Sequence, residues 1–246
     1  MEDLKQNLEY INLFLIDEFK HIQIHKDFNN SKDNYHLLSE KGKYLLEILN
    51  LYGRLNKLLD DLNIVVVFIT TYPDIEIYKE SKINEINFIN YHLEVFYHKI
   101  STILDVMKLF VSHVFELGIC PKVCNWENLE KRKADIDSNT LDIISRYYKS
   151  FISIIDIRNL NTHRSINVNP SSTQIASLLF LQENSNSNNN GSEGFIFTNV
   201  QINSIIEKHK SKKVEDIRNA KEIENKYVDE LKCKIFIEGV KRANNK

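Results

Sequence analysis

Apolar positions recur along this chain mostly at intervals of three and four, the period of one face of a helix. Leu4, Leu8, Ile11, Leu15, Phe19 and Ile22 predict a first helix over about Leu4–Ile24, followed by a polar loop, Asp27–Asn34. Leu38, Leu45, Ile48, Leu49, Tyr52, Leu55, Leu58 and Leu59 predict a second over about Tyr35–Leu62. The β-branched run Ile64–Thr70 fits either a buried strand or the apolar end of that helix, since a short run has no decisive period. Tyr72-Pro73-Asp74 marks a turn. The longest pattern, about Ile83–Leu117, includes Phe88, Val95, Phe96, Ile100, Ile103, Leu104, Met107, Phe110, Val111 and Val114, with Gly118 placed as a C-cap residue. A loop over Cys120–Lys133 leads to a helix capped by Ser138 that runs through Leu141, Ile144, Tyr148, Phe151, Ile154 and Ile155 into Arg158.

Beyond Arg164 the texture changes. Gln174–Gln182 and Gly194–Val200 read as strands, with the Asn- and Ser-rich run Glu183–Ser192 as a solvated tip between them. A last helix is expected from about Asn203 to Lys241. The expected architecture is mainly α. It is a helical bundle forming a single domain over 1–246, with a small β-hairpin insertion over 165–202 and a C-terminal helix over 203–246. Six Gly and three Pro agree with long helices, because residues that break them are scarce.

Charge narrows the partners. The formal net charge is −2, from 32 basic and 34 acidic residues, so no global field draws in nucleic acid and any such contact must be local and salt-sensitive. Cys120, Cys124 and Cys233 form no disulfide framework, and Cys120 and Cys124 lack the second pair a zinc knuckle needs. His21 and His25 share a helix face but lack the intervening glutamate of a metalloprotease. No apolar run is long enough to span a bilayer, and the charged amino-terminal residues do not resemble a signal peptide. A cytoplasmic protein without a metal or other cofactor and without membrane contact is expected.

The chemistry concentrates in Asp156-Ile157-Arg158-Asn159-Leu160-Asn161-Thr162-His163 at the end of the late helix. Asn159 and His163 are four apart and share a face, with Arg158 one step round. Arginine offers a permanent charge and a planar fork of donors suited to phosphate. Histidine moves protons near neutral pH. Such a trio suits RNA, whose 2′-hydroxyl is its own nucleophile. A purely structural reading exists too, in which Arg158 caps a helix carbonyl and His163 is a cation favoured by the helix dipole.

The R-N-x-x-x-H pattern at this place resembles the signature of the HEPN superfamily. The resemblance implies a helical bundle, a metal-independent endoribonuclease of the kind found in bacterial defence and toxin–antitoxin systems, and a homodimer with facing motifs. It assigns Arg158 to the motif arginine, Asn159 to its polar neighbour and His163 to the motif histidine. Any antitoxin or inhibitor would be encoded elsewhere. Glu94 and Asp105, carboxylates within the long apolar helix, are candidates to hold Arg158 or His163. Arg146, Lys149 and Arg164 are candidates to follow an RNA backbone, and Lys208–Lys213 is a further basic run. The alternative is a non-catalytic helical module that binds RNA or another protein.

Overall fold

In the computed structural model the described residues are 2–73, 75–81, 83–164, 170–187 and 199–246, without the side chains of 79, 162–164, 170, 171, 182–187 and 199. Eight α-helices occupy them: α1 (Glu2–Gln23), α2 (Glu40–Thr70), α3 (Glu76–Glu80), α4 (Glu85–Val114), α5 (Trp126–Lys131), α6 (Ser138–Arg164), α7 (Pro170–Ser187) and α8 (Asn199–Ala243). No strand occurs among the described residues. The mainly helical expectation therefore stands and the β-hairpin does not.

The chain folds as two compact units. The first comprises Met1–Leu58, Thr102–Ser150 and Ile223–Lys246, the second Leu59–Ser101 and Phe151–Glu222. In the first unit Ile11 and Leu15 of α1, Leu45 and Ile48 of α2, Phe110 and Val114 of α4, Tyr147 of α6 and Phe236 of α8 are buried. The Phe236 ring meets Tyr52 and Phe110 edge-on at centroid distances of 5.2 and 6.2 Å. Burying each such side chain contributes about 1.5–3 kcal/mol. Tyr147 also donates a hydrogen bond to the buried Glu224 carboxylate at 2.7 Å, and burial pushes its phenol well above the ordinary range. The second unit is built on Leu62, Val65, Ile69, Ile86, Ile89, Leu93, Phe96, Phe151, Ile155, Ile175 and Ile217.

Local chemistry sets the helix ends. Ser39 Oγ accepts from Gly42 N–H at 2.9 Å and starts α2, after a separate 3₁₀ turn over Tyr35–Leu37. The run Ile64–Thr70 is the end of α2. Its buried members, Val65 and Ile69, continue the spacing of three and four from Leu62, while Ile64, Val67 and Phe68 are exposed, a pattern no strand gives. Asn84 Oδ1 accepts from Asn87 N–H at 2.9 Å to open α4. The cap of α6 is Asp137, whose Oδ2 accepts from Thr140 N–H at 3.1 Å, and not Ser138. The end of α4 also departs from expectation. Leu117 N–H bonds Ser112 C=O and Glu116 N–H bonds His113 C=O, each at 3.0 Å, the pairing of a Schellman cap. The left-handed residue of that cap is Glu116 (φ 51°), and Gly118 (φ 67°) adopts a second left-handed turn two residues on.

The segment read as a first strand, Gln174–Gln182, lies in α7. Pro170 opens that helix, where its missing N–H costs nothing. Ser172 and Ile175 form its buried positions at a spacing of three. From Ala176 to Leu181 the residues are mostly good helix formers, so β-branched content is too low to hold a strand. Glu183–Ser187 of the expected tip continue α7, Asn199 and Val200 begin α8, and the rest of the tip and of the second expected strand lies outside the described residues.

Candidate functional site

Arg158 and Asn159 are presented by the last turns of α6. The buried stripe of that helix within the second unit is Phe151 and Ile155. Arg158 follows these at intervals of seven and three, and Asn159 follows Ile155 at four. Both side chains therefore leave the edge of a packed face and are half-buried. Ile152, two turns from Asn159, is on the outer side and exposed.

The Arg158 guanidinium makes two hydrogen bonds. Its Nη1 donates to Asn159 Oδ1 at 3.0 Å, and its Nε donates to His98 Nδ1 at 3.4 Å. His98 belongs to α4, on an exposed stripe with Tyr91 and Glu94, opposite the buried Leu93, Phe96 and Ile100. Of the five N–H donors a guanidinium carries, those two bonds leave the remainder without a partner among the described residues. This is the arrangement a phosphate needs, a positioned cation with donors still free. The nearby cation Lys99 is already engaged by the carboxylate of Asp61.

Further along α6, the amide oxygen of Asn161 is buried without a hydrogen-bond partner among the described residues, as is that of Asn90 on α4. A buried carbonyl left open forgoes about 1–3 kcal/mol. The side chains of His163 and Arg164 lie outside the described residues.

Other candidates fall into different settings. Glu94 is exposed and bonds to neither Arg158 nor any other described residue. Asp105 belongs to the first unit, where it pairs with Lys108 at 2.7 Å. Arg146, also in the first unit, is held by Asp142 and Glu230, both at 2.7 Å, and lies over the Tyr227 ring. The hydrogen bond that Arg146 donates to Glu230 raises its pKa further. With both carboxylates engaged it has little charge to offer a polyanion. Lys149 is exposed in the same unit. In the basic run, Lys210 pairs with Glu85 and Glu207, Lys213 pairs with Asp216, and His209 is buried against Ser172 at 3.1 Å. Lys208 and Lys212 are exposed. His21 and His25 face Asp17 and Asp27 at 3.5 and 3.7 Å. Among the described residues no group of three His, Cys, Asp or Glu could hold a metal ion, all three cysteines are free, and no helix is long and apolar enough to cross a membrane.

Sequence reasoning missed His98. It lies sixty residues before Arg158, so no local spacing links them. The available signal was an imidazole on the exposed stripe that also carries Glu94.

The chain matches no curated protein and no solved structure. A family model described as Cthe2314-like HEPN matches residues 48–228, more than half of the chain and a span that contains His98, Arg158, Asn159 and His163. The chain belongs to the Cthe2314-like HEPN family.

Proposed function

We propose that this protein is an endoribonuclease that needs no metal ion and cleaves RNA by attack of its own 2′-hydroxyl. The observation that supports the reading is the Arg158 guanidinium, fixed by Asn159 and His98 with donors to spare at the end of α6. Membership of a HEPN family points the same way, to a nuclease or other RNA-related role.

In this reading Arg158 binds the scissile phosphate and stabilises the charge that builds on its oxygens as phosphorus becomes five-coordinate. His163 takes the proton of the 2′-hydroxyl as the 2′-O–P bond forms. The P–O5′ bond breaks, and a proton returns to the 5′-oxygen from an imidazolium. The products are a 2′,3′-cyclic phosphate and a 5′-hydroxyl, with no net gain or loss of electrons or protons. Asn159 keeps the Arg158 fork aligned. Two copies of the chain would bring their motifs together in a symmetric homodimer, the commonest kind of oligomer. The biological setting would be a bacterial defence or toxin–antitoxin system, with any inhibitor encoded separately.

The test is cleavage of a labelled, structured RNA in EDTA by the wild type, Arg158→Ala and His163→Ala, each shown to be folded. Cleavage by the wild type alone, leaving cyclic-phosphate ends, supports the reading. RNA binding without cleavage by all three would replace it with a non-catalytic RNA-binding module.

A further inference from the structure

Building on the ribonuclease reading, we propose that Tyr91 and Glu94 form a nucleobase subsite next to Arg158, with Tyr91 stacking on an unpaired guanine and Glu94 accepting hydrogen bonds from its Watson–Crick edge. The argument starts from the register of α4. Tyr91, Glu94 and His98 follow one another at three and four residues and share an exposed stripe of that helix. Arg158 donates to His98 at 3.4 Å, which places its guanidinium at one end of the stripe. Tyr91 stands seven residues before His98, about 10 Å along the helix axis. All four residues belong to the second unit. A nucleotide joined to a phosphate on Arg158 can therefore lay its base along this stripe.

The chemistry of the stripe selects what binds there. Tyr91 is 65% exposed, and its ring leans on His92 at a centroid distance of 5.3 Å and an interplanar angle of 82°. His92 in turn stacks on Phe68 at 4.8 Å and meets Phe88 edge-on at 4.4 Å, so the platform is anchored to its own unit. Stacking on an aromatic ring accepts any base. Glu94 narrows the choice. It is exposed, and its carboxylate has no partner among the described residues. Such an anion repels a phosphate backbone, so the strand must turn a base edge toward α4. Residues three apart on a helix have Cβ atoms about 5–6 Å apart, which puts the edge of a base stacked on Tyr91 within reach of Glu94. A carboxylate only accepts hydrogen bonds. Guanine offers it two adjacent donors, N1–H and the N2 amino group. Cytosine and adenine offer one amino group, and the single N–H of uracil lies between two carbonyl oxygens that repel the carboxylate. These edges are free only in an unpaired strand.

The test uses labelled uridine strands that carry guanosine, inosine or no replacement at one position, and reads kcat/KM for cleavage beside that position. The wild type should favour guanosine over uridine by roughly 5- to 150-fold, the worth of a bidentate base contact. Inosine, which keeps N1–H but lacks the N2 amino group, should fall between them. Glu94→Ala should remove this ranking. Tyr91→Ala should lower kcat/KM on every strand by roughly 5- to 150-fold, the worth of one stacked base, and Tyr91→Phe should restore it. Both side chains are exposed, so urea unfolding should find each variant as stable as the wild type.

Equal wild-type rates on all strands, or a guanosine preference that survives in Glu94→Ala, would overturn the subsite while leaving the ribonuclease reading intact. Wild-type rates in Tyr91→Ala would do the same, as would cleavage of the structured RNA with none of these strands cut. Absence of cleavage of any RNA by the wild type would sink the ribonuclease reading and this proposal with it.

Discussion

Gly239 of α8 packs against Ile48 of α2 in the first unit, and the contact gives a prediction that depends on a single methyl group. A Cβ added at Gly239 would stand 2.7 Å from Ile48 Cδ1 and 4.0 Å from Ile48 Cγ1. Carbon atoms in favourable contact are about 3.5–4.0 Å apart, so the new methyl overlaps Cδ1 by roughly 1 Å. Ile48 is fully buried and β-branched, which limits how far it can turn away. Two effects oppose each other in Gly239→Ala. Alanine is better than glycine in a helix interior by about 1 kcal/mol. Overpacking a filled core costs about 1–3 kcal/mol. The net expectation is destabilisation of up to about 2 kcal/mol. Ile48→Val removes Cδ1 and alone costs about 0.5–1.5 kcal/mol. In the double variant the alanine methyl occupies the space that Cδ1 vacated, and the nearest remaining atom is at ordinary contact distance. The two losses should then cancel by about 1–2 kcal/mol, leaving the double variant near wild-type stability. Urea unfolding followed by the fluorescence of Trp126, the single tryptophan and a residue of the same unit, measures all four proteins. Additivity within about 0.5 kcal/mol, or a Gly239→Ala variant stabilised by helix propensity alone, would refute the reasoning.

Two further expectations concern backbone and pH. Glu116 adopts a left-handed conformation that costs a side-chain-bearing residue about 1–2 kcal/mol. Glu116→Gly should therefore raise the unfolding midpoint, less the small contribution of its exposed ion pair with Lys246. Gly118→Ala should lower the midpoint by a comparable amount although its Cβ meets no atom within 4 Å, and a shift of the opposite sign in either variant would contradict the cap assignment. Burial, followed by Lys213 and Lys212, holds the His209 imidazole below its ordinary value, while Asp216 opposes them. Below about pH 6.5 the unfolded chain therefore binds more protons at this residue than the folded one, and stability falls as pH drops through that window. His209→Gln should lose less stability than wild type between about pH 7.5 and about pH 5.5, as measured by urea unfolding; an equal loss in both proteins would show that His209 does not titrate differently on folding.

The parts of this fold that were legible in the sequence were those with a long, clean period. The apolar stripe of α4 shows through thirty residues, and no alternative structure buries it. Gln174–Gln182 misleads because a segment of nine residues offers too few turns for a period to emerge, although its residues from Ala176 to Leu181 favour the helix that forms. The cap at Glu116 was hidden for a different reason. Glycine is the usual left-handed residue, and Gly118 stood close enough to attract the assignment. Nothing in a sequence marks a glutamate that accepts positive φ. Its ion pair with Lys246 spans 130 residues and exists only in the folded chain.

The site divides in the same way. Arg158 and Asn159 are adjacent in the motif, but their hydrogen bond is not legible in the spacing, since neighbours on a helix do not face each other. His98 could be reached only by asking which group would answer Arg158 from α4. The sequence offers two carboxylates of that helix, Glu94 and Asp105, as candidates to hold Arg158 or His163. Glu94, His98 and Asp105 are separated by four and seven residues, so all three follow one line along α4. The fold sets an imidazole, not a carboxylate, against the guanidinium. The difference matters for chemistry. A carboxylate beside Arg158 would neutralise it and compete with phosphate for its donors. A ring nitrogen that accepts from Nε brings no negative charge and leaves the full positive charge of Arg158 available. A guanidinium meant for structure alone gains more from a carboxylate, as Arg146 shows with Asp142 and Glu230. The two arginines of α6 thus differ in their described partners, Arg146 held by two carboxylates and Arg158 by an amide oxygen and an imidazole nitrogen.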